Sequence, residues 1–415
     1  MFDTRWCKAL RDLSKNKGRS LMVIAAIAVG VGAAGSILTG YSVITREMDR
    51  GYQQTNPSSA ILRLDSVDTD LVDSVRARPE IRSAEARREV VARLVRGSEE
   101  WLPLILVVVA DFDALEVAKF GPESGKWGPA ADEIVIERSS LDEVDMSVGD
   151  SLEITIGSGD ANSLTVAGLV HDPGRTPAWM SGIVIGYITS DGLETLGEDR
   201  VLDQLHVVMA ENNNRTENRL AANALSSDLE SAGFNVSRVD VPVPGQHPSQ
   251  AATTTMLFLL QIFGAVALIA SGTLVAVVIS AQLKQQSREI GVMKAVGAQT
   301  GQIAGIYLGS IALLASAGMA VGIPLGILGG RGFIAFVFGL LNFEVQSYRL
   351  DAWVIPLQVL AAFLVPLGAV LYPVLRSSRL PVREVLVDGS SAKSSLAHKI
   401  ASVQNEPNSV ANAVA

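Results

Sequence analysis

The chain has 415 residues, 48% of them hydrophobic, and a mean hydropathy of +0.31. The apolar residues lie in a few long runs, which indicates membrane spans rather than one large soluble core. Residues 46–252 contain 35 Asp and Glu against 18 Lys and Arg, a net charge of 18 − 35 = −17. Because this large polar region is acidic, nucleic-acid binding is excluded as a function class.

The positive charge lies elsewhere. Residues 1–20, 284–302 and 376–415 together hold 14 Lys and Arg and 6 Asp and Glu, a net charge of +8. Basic residues near membrane spans are retained on the inner side, so these three segments are predicted to be cytoplasmic and residues 46–252 external.

The first 20 residues carry six basic side chains, and Trp6, Leu10 and Leu13 fall on one helical face. They are predicted to form an amphipathic helix on the inner membrane surface, and the alternative is a disordered basic leader. Cys7 is the single cysteine, so an intrachain disulfide is excluded and an inert thiol is expected. The apolar run that follows is longer than a signal-peptide core and should be retained as an anchor.

Four segments are predicted to span the membrane, since about 20 apolar residues cross a hydrocarbon core of about 30 Å. They comprise residues 21–44, 253–283 (including a stalk), 303–331 and 353–375. A cytoplasmic turn, 284–302, joins the second to the third, and an outer loop, 332–352, joins the third to the fourth. The tail, 376–415, is predicted to be cytoplasmic and disordered from about residue 388.

Two of the spans carry stripes of small residues four positions apart, which allow helices to approach closely. The stripes consist of Ala28, Gly32, Ser36 and Gly40 in the first span and Gly318, Gly322 and Gly326 in the third. The pattern predicts helix packing, and leaves open whether each stripe faces another helix of this chain or a second copy.

The external region, 45–252, begins and ends with strand–helix–strand patterns, with residues 45–54 continuing the first span as a stalk helix. Between them, from about 120 to 200, short β-rich runs alternate with Gly, Pro and Asp, which predicts a β-rich insertion. The predicted fold class is therefore membrane α-helical, with four transmembrane helices, plus an α+β extracytoplasmic domain with a β-rich insertion.

Catalytic motifs are missing from the sequence. The nearest approach to a phosphate loop, residues 121–127, is one residue short, and Trp127 occupies the place of the required hydroxyl residue. His171-Asp172 resembles half of a metal site, but a single His beside a carboxylate is more often an ordinary loop pair. We therefore predict that this chain is not an enzyme and carries neither a metal nor a cofactor.

The cytoplasmic turn has its own pattern. Lys284, Arg288 and Lys294 are basic, whereas Ile290, Met293 and Val296 recur every three residues and predict one apolar face of a short helix. Such a helix beneath a membrane can dock a soluble protein. The alternative is a solvated loop that only connects two spans.

The turn reads SREIGVMKAVGA at residues 287–298, and the segment after the fourth span reads SRLPVREVL at 378–386. With the one-plus-three arrangement of spans, these motifs resemble the FtsX-like, MacB-type permeases of ABC transporters, which act by mechanotransmission. By this resemblance the ATPase-coupling residues are Arg288, Glu289, Ile290, Gly291, Met293, Lys294 and Gly297.

The resemblance implies a dimer of permeases, identical or related, in a bacterial cell (inner) membrane, with both termini cytoplasmic. A separate ABC ATP-binding subunit would carry ATP and Mg, and other implied partners are membrane lipids and a periplasmic adaptor protein. Three functions stay open: export of a lipid, peptide or small molecule; signal transmission to a cell-wall hydrolase or sensor without transport; and lipoprotein release.

Overall fold

The computed structural model describes residues 17–96, 100–144, 146–211 and 214–379. The predicted helix and thiol before residue 17, and the predicted disorder after residue 388, lie outside these ranges. The chain divides into two compact units, each described separately below. The membrane unit comprises Met1–Ser42, Met256–Phe333 and Arg349–Ala415, and the outer unit comprises Val43–Thr255 and Ile334–Tyr348.

The secondary structure is mixed. The helices are α1 (Lys17–Gln54), α2 (Thr69–Arg76), α3 (Leu141–Val144), α4 (Ala178–Ser181), α5 (Ser190–Thr195), α6 (Arg215–Ser231), α7 (Gln250–Gln285), α8 (Ser287–Ala295), α9 (Thr300–Leu341) and α10 (Val354–Arg379). The strands are β1 (Ala60–Leu64), β2 (Ile81–Arg96), β3 (Glu100–Val109), β4 (Gly121–Gly125), β5 (Glu133–Glu137), β6 (Ser151–Ile156), β7 (Asn162–His171), β8 (Val184–Thr189), β9 (Gln204–Met209) and β10 (Val236–Asp240).

Helices α1, α7, α9 and α10 are each long and apolar enough to cross a membrane. With 38, 36 and 42 residues, α1, α7 and α9 are much longer than the roughly 20 residues that a bilayer requires. Their apolar side chains form the buried core of the membrane unit, around Ile27, Val275, Ile311 and Val370.

The two stripes of small residues face each other within this chain. A Cβ atom added to Gly322 would lie 3.0 Å from the carbonyl oxygen of Ala28, and one added to Gly326 would lie 3.2 Å from that of Gly32. At Gly40, an added Cβ would lie 2.5 Å from the Phe333 ring. Helices α1 and α9 therefore pack backbone to backbone, which only small residues permit.

Helix α9 differs from the prediction, which ended the third span at residue 331 and began an outer loop at 332. The helix continues to Leu341 because Ile334, Val337 and Phe338 present a buried face at helical spacing. It ends at Asn342, whose φ of 60° is left-handed, and the next amide, of Phe343, donates to the Phe338 carbonyl at 3.0 Å.

In the described part of the outer unit, one ten-stranded sheet is built around β2 as its central element. The first half of β2 pairs with β9, and the second half pairs with both β3 and β6. Because β3 continues through β8, β5 and β7 to β6, six strands close into a small barrel. Its interior is filled by side chains, among them Leu94, Leu104, Ile134 and Ile154.

This arrangement modifies the predicted insertion. The β-rich residues from 120 to 200 do not form a separate module, since their strands close only by pairing with β2 and β3. Strand β2 begins at Ile81, although its first half, IRSAEAR, contains few strand-favouring residues; pairing with β9 holds this half in the sheet.

Candidate functional site

The predicted cytoplasmic turn forms an elbow made of α7, α8 and the start of α9. Helix α7 ends beside Gln286, whose amide donates to the Gln282 carbonyl at 3.0 Å, while its own carbonyl accepts from Ile290 at 3.1 Å. The chain thus begins a second helix with almost no linker. The Tyr307 hydroxyl donates to the Gln286 side chain at 3.1 Å and connects α9 to the bend.

Gly297 ends α8 in a Schellman motif. Its φ is +102°, its amide donates to the Lys294 carbonyl at 2.9 Å, and the amide of Ala298 donates to the Met293 carbonyl at 3.0 Å. A Cβ atom at Gly297 would meet nothing within 4 Å, so space does not require a glycine there. Its left-handed backbone does, and Gly297 therefore sets the direction in which the chain leaves α8.

The side chains of α8 are divided between two faces. Ile290 is 3% exposed, Gly291 is buried and Met293 is half-buried, so these three predicted coupling residues pack against the membrane unit itself. The solvent face carries Arg288 and Glu289, together with the two valines described next. Lys294 is half-buried and interacts within the chain.

Two exposed valines distinguish this face from the predicted one. Val296, which the sequence pattern placed on one apolar face with Ile290 and Met293, is 85% exposed, and Val292, four residues before it, is 55% exposed. Residues at this spacing are neighbours on a helix surface. The face therefore presents an apolar pair beside Arg288 and Glu289. Sequence reasoning missed Val292, although its spacing from Val296 was visible.

A second cluster, which we call the outer clasp, holds residues 342–347 within the outer unit. The Asn342 side-chain amide donates to the Glu137 carboxylate at 2.5 Å, and its oxygen accepts from Arg138 at 2.6 Å. Arg138 also forms an ion pair with Glu344 at 3.4 Å. Glu137 is 1% exposed, and burial raises the pKa of its carboxyl group.

The other half of the clasp lies on α1. Glu47 is 2% exposed, and one of its carboxylate oxygens accepts from the backbone amides of Gln346 and Ser347 at 3.1 and 3.0 Å. Arg46 adds a bond of 3.2 Å to the Ser347 carbonyl. A buried carboxylate is thus paired with backbone donors, which fixes the connection that follows α9.

His171-Asp172 is part of a structural network. Asp172 is 4% exposed, accepts from the Tyr187 hydroxyl at 2.6 Å and from the Gly174 amide at 2.8 Å, and lies 3.7 Å from Arg175. Burial raises the pKa of Tyr187, so its hydroxyl stays a donor. No cluster of three or more potential metal ligands occurs among the residues that the structure describes.

Comparison with known proteins gives one family match. Residues 261–382, which include α8 and most of three long helices, match the FtsX-like permease C-terminal domain. No curated protein matches the chain.

Three solved structures are similar at low identity. The periplasmic region of MacB from Actinobacillus actinomycetemcomitans is 12% identical, with a TM-score of 0.29, over 49% of this chain and 94% of that one. The extracellular domain of the noncanonic ABC-type transporter YknZ from Gram-positive bacteria is 13% identical, with a TM-score of 0.31, over 45% and 99%. A domain of a putative permease from Porphyromonas gingivalis is 10% identical, with a TM-score of 0.27, over 42% and 84%.

The fold and the elbow define a class of protein: a membrane protein with, among the described residues, four long apolar helices and a mixed β-sheet outer domain. Within that class, the chain carries an FtsX-like permease C-terminal domain, and its outer domain resembles the MacB and YknZ regions.

Proposed function

We propose that this chain is the permease subunit of an ABC-type transporter and binds a separate ATP-binding subunit through the exposed face of α8. The observation that supports the proposal is the division of α8 into two faces. One face packs into the membrane unit, and the other leaves Val292 and Val296 in solvent beside Arg288 and Glu289. Exposed apolar side chains flanked by charges are typical of a helix that docks into a groove.

In this proposal the energy comes from ATP and Mg bound on the partner, and this chain transmits movement. Helices α1, α7 and α9 each belong partly to the membrane unit and partly to the outer unit, so each is a continuous element along which a displacement can travel. The outer clasp would carry that displacement into the sheet of the outer unit. Two permease copies would work as a pair, with a periplasmic adaptor as a further candidate partner.

The expected function is export of a lipid, peptide or small molecule across or out of a bacterial inner membrane. Both termini would lie in the cytoplasm. Basic residues on the predicted inner segments support this orientation. The acidic outer domain would face the opposite side.

The docking face can be tested with the permease and its ATPase reconstituted together in lipid nanodiscs. Val296→Asp and Glu289→Lys should each lower stimulated ATP hydrolysis about tenfold or more, since loss of an interface hot-spot residue costs about 2 kcal/mol or more and about 1.4 kcal/mol is a tenfold change in affinity. Val201→Asp is the matched control, because this valine is also exposed but lies in the outer unit. Normal binding and stimulation of the ATPase by both α8 variants would refute the proposal.

A further inference from the structure

A cavity of about 240 Å³ lies within the membrane unit, between α1, α7 and α10. It is lined by Val31, Ala34, Gly35, Ile37 and Leu38 of α1, Gln261, Gly264, Ala265 and Leu268 of α7, and Leu357, Gln358 and Ala361 of α10. Ten of these twelve residues are apolar, and none is charged. A dry apolar cavity of about 150 Å³ is enough to bind benzene, so this volume can hold part of an aliphatic chain.

The cavity is closed toward the elbow by tight helix contacts. A Cβ atom added to Gly30 would lie 2.5 Å from Ser271, and the Ser271 hydroxyl donates to the Ala26 carbonyl at 2.7 Å. At the next residue of α7, a Cβ added to Gly272 would lie 2.8 Å from Val365. The cavity therefore occupies the part of the three helices that lies away from the elbow.

Gln358 supplies an acceptor that lacks a donor. This residue is 4% exposed, and its side-chain nitrogen donates to the Gly35 carbonyl at 3.2 Å and to the Thr39 hydroxyl at 3.3 Å. Because a carbonyl can only accept, the amide orientation is fixed, with nitrogen toward Gly35. Within the described part of the chain, the Gln358 Oε1 atom accepts no hydrogen bond and is itself buried, so a donor in the cavity reaches it when the Gln358 side chain rotates toward the lining.

A buried amide oxygen without a donor is costly, particularly in a membrane interior, where water does not compensate. Native proteins usually satisfy such atoms. An occupant with a hydroxyl or amide N–H would give the Gln358 oxygen a donor, and an aliphatic body would fill the apolar remainder of the cavity. A charged head group would meet no countercharge among the lining residues.

We propose that this cavity binds a neutral aliphatic amphiphile from the bilayer, whose hydroxyl or amide donates to Gln358 Oε1. The site goes beyond the coupling role of α8. It is tested on the permease alone, without nucleotide or ATPase, so failure of one proposal leaves the other standing.

The probe is a twelve-carbon alcohol carrying a mid-chain diazirine, compared with the corresponding diazirine hydrocarbon and the corresponding fatty acid. The full-length protein is labelled in phosphatidylcholine nanodiscs, and labelled peptides are identified by mass spectrometry. The alcohol should label residues 31–38, 261–268 and 357–361 about fivefold more than either comparison probe, as one net hydrogen bond predicts. Equal labelling of the wild-type protein by all three probes would by itself overturn the proposal.

Two variants locate the donor site. Gln358→Leu should abolish the preference for the alcohol, whereas Gln261→Leu, which removes the other lining amide, should retain it. An equal loss in both variants, or an unchanged preference in Gln358→Leu, contradicts the assignment. Chain-to-chain cross-links through these peptides, in place of lipid labelling, would show that a second copy fills the cavity and would also refute the proposal.

Discussion

Asn342 is the residue on which the outer clasp depends most directly. Its side chain bonds both Glu137 and Arg138, and its own backbone is left-handed, with a φ of 60°. We consider Asn342→Gly, which removes the side chain but accepts the same backbone, and Asn342→Ala, which removes the side chain and strains the backbone. Comparing the two separates the hydrogen bonds from the conformation.

The magnitude follows from these contacts. Each hydrogen bond to a charged partner contributes about 1.5 kcal/mol or more, so Asn342→Gly should cost the clasp about 3 kcal/mol. At 1.4 kcal/mol per tenfold change, local opening should become about a hundredfold more frequent. Asn342→Ala should cost about 1 kcal/mol more than Asn342→Gly, because a residue with a Cβ is disfavoured at positive φ.

Hydrogen exchange of the full-length protein measures this opening. The amides of Gln346 and Ser347 donate to the buried carboxylate of Glu47, so they report directly on the clasp. Both amides should exchange fastest in Asn342→Ala, more slowly in Asn342→Gly and slowest in the wild type. The exchange rates of the β3 strand amides should not change. If Gln346 and Ser347 keep wild-type protection in Asn342→Gly, the clasp does not hold this connection.

Three further predictions concern other parts of the chain. Gly322→Ala should lower the melting temperature, because its Cβ would lie 3.0 Å from a carbonyl of α1, whereas Gly305→Ala, with nothing within 4 Å, should not. Gly297→Ala should cost about 1–2 kcal/mol at its φ of +102° and speed amide exchange at the elbow, while the control Gly301→Ala should leave exchange unchanged. Burial lowers the pKa of His247 from 6.5 to about 4, so the folded state excludes a proton that the unfolded chain binds. Stability should therefore fall as the pH drops from 6.5 toward 4, and the melting temperature of His247→Asn should fall less over that range.

The sequence was sufficient for the features that depend on local pattern. Apolar runs of sufficient length located the four long helices, and short runs alternating with Gly, Pro and Asp indicated the β-rich stretch that holds β4 to β8. The third span was predicted to end at residue 331, before the end of α9. The buried face formed by Ile334 and Phe338 continues the helix and outweighs the low helix propensity of Gly329, Gly330 and Gly332.

The candidate sites depended more on tertiary structure. Apolar residues do recur every three positions in α8, as the sequence shows, but only tertiary packing decides that Ile290 is buried and Val296 exposed. The clasp joins Glu137 to Asn342 across 205 positions, and no local pattern connects them. The open acceptor at Gln358 depends on the neighbouring helix, because Gly35 fixes which end of the amide lies free.

Strand β2 has a practical consequence for dissecting the protein. Its 16 residues belong to the open part of the sheet at one end and to the barrel at the other, with no hinge between them. Expression of residues 120–200 alone would leave the barrel without β2 and β3, two of its six strands. Deletion of that stretch would leave β2 and β3 with unpaired apolar edges. Protease mapping should accordingly release the outer domain as one resistant fragment, and sequence exchange between related permeases should keep both ends of β2 together.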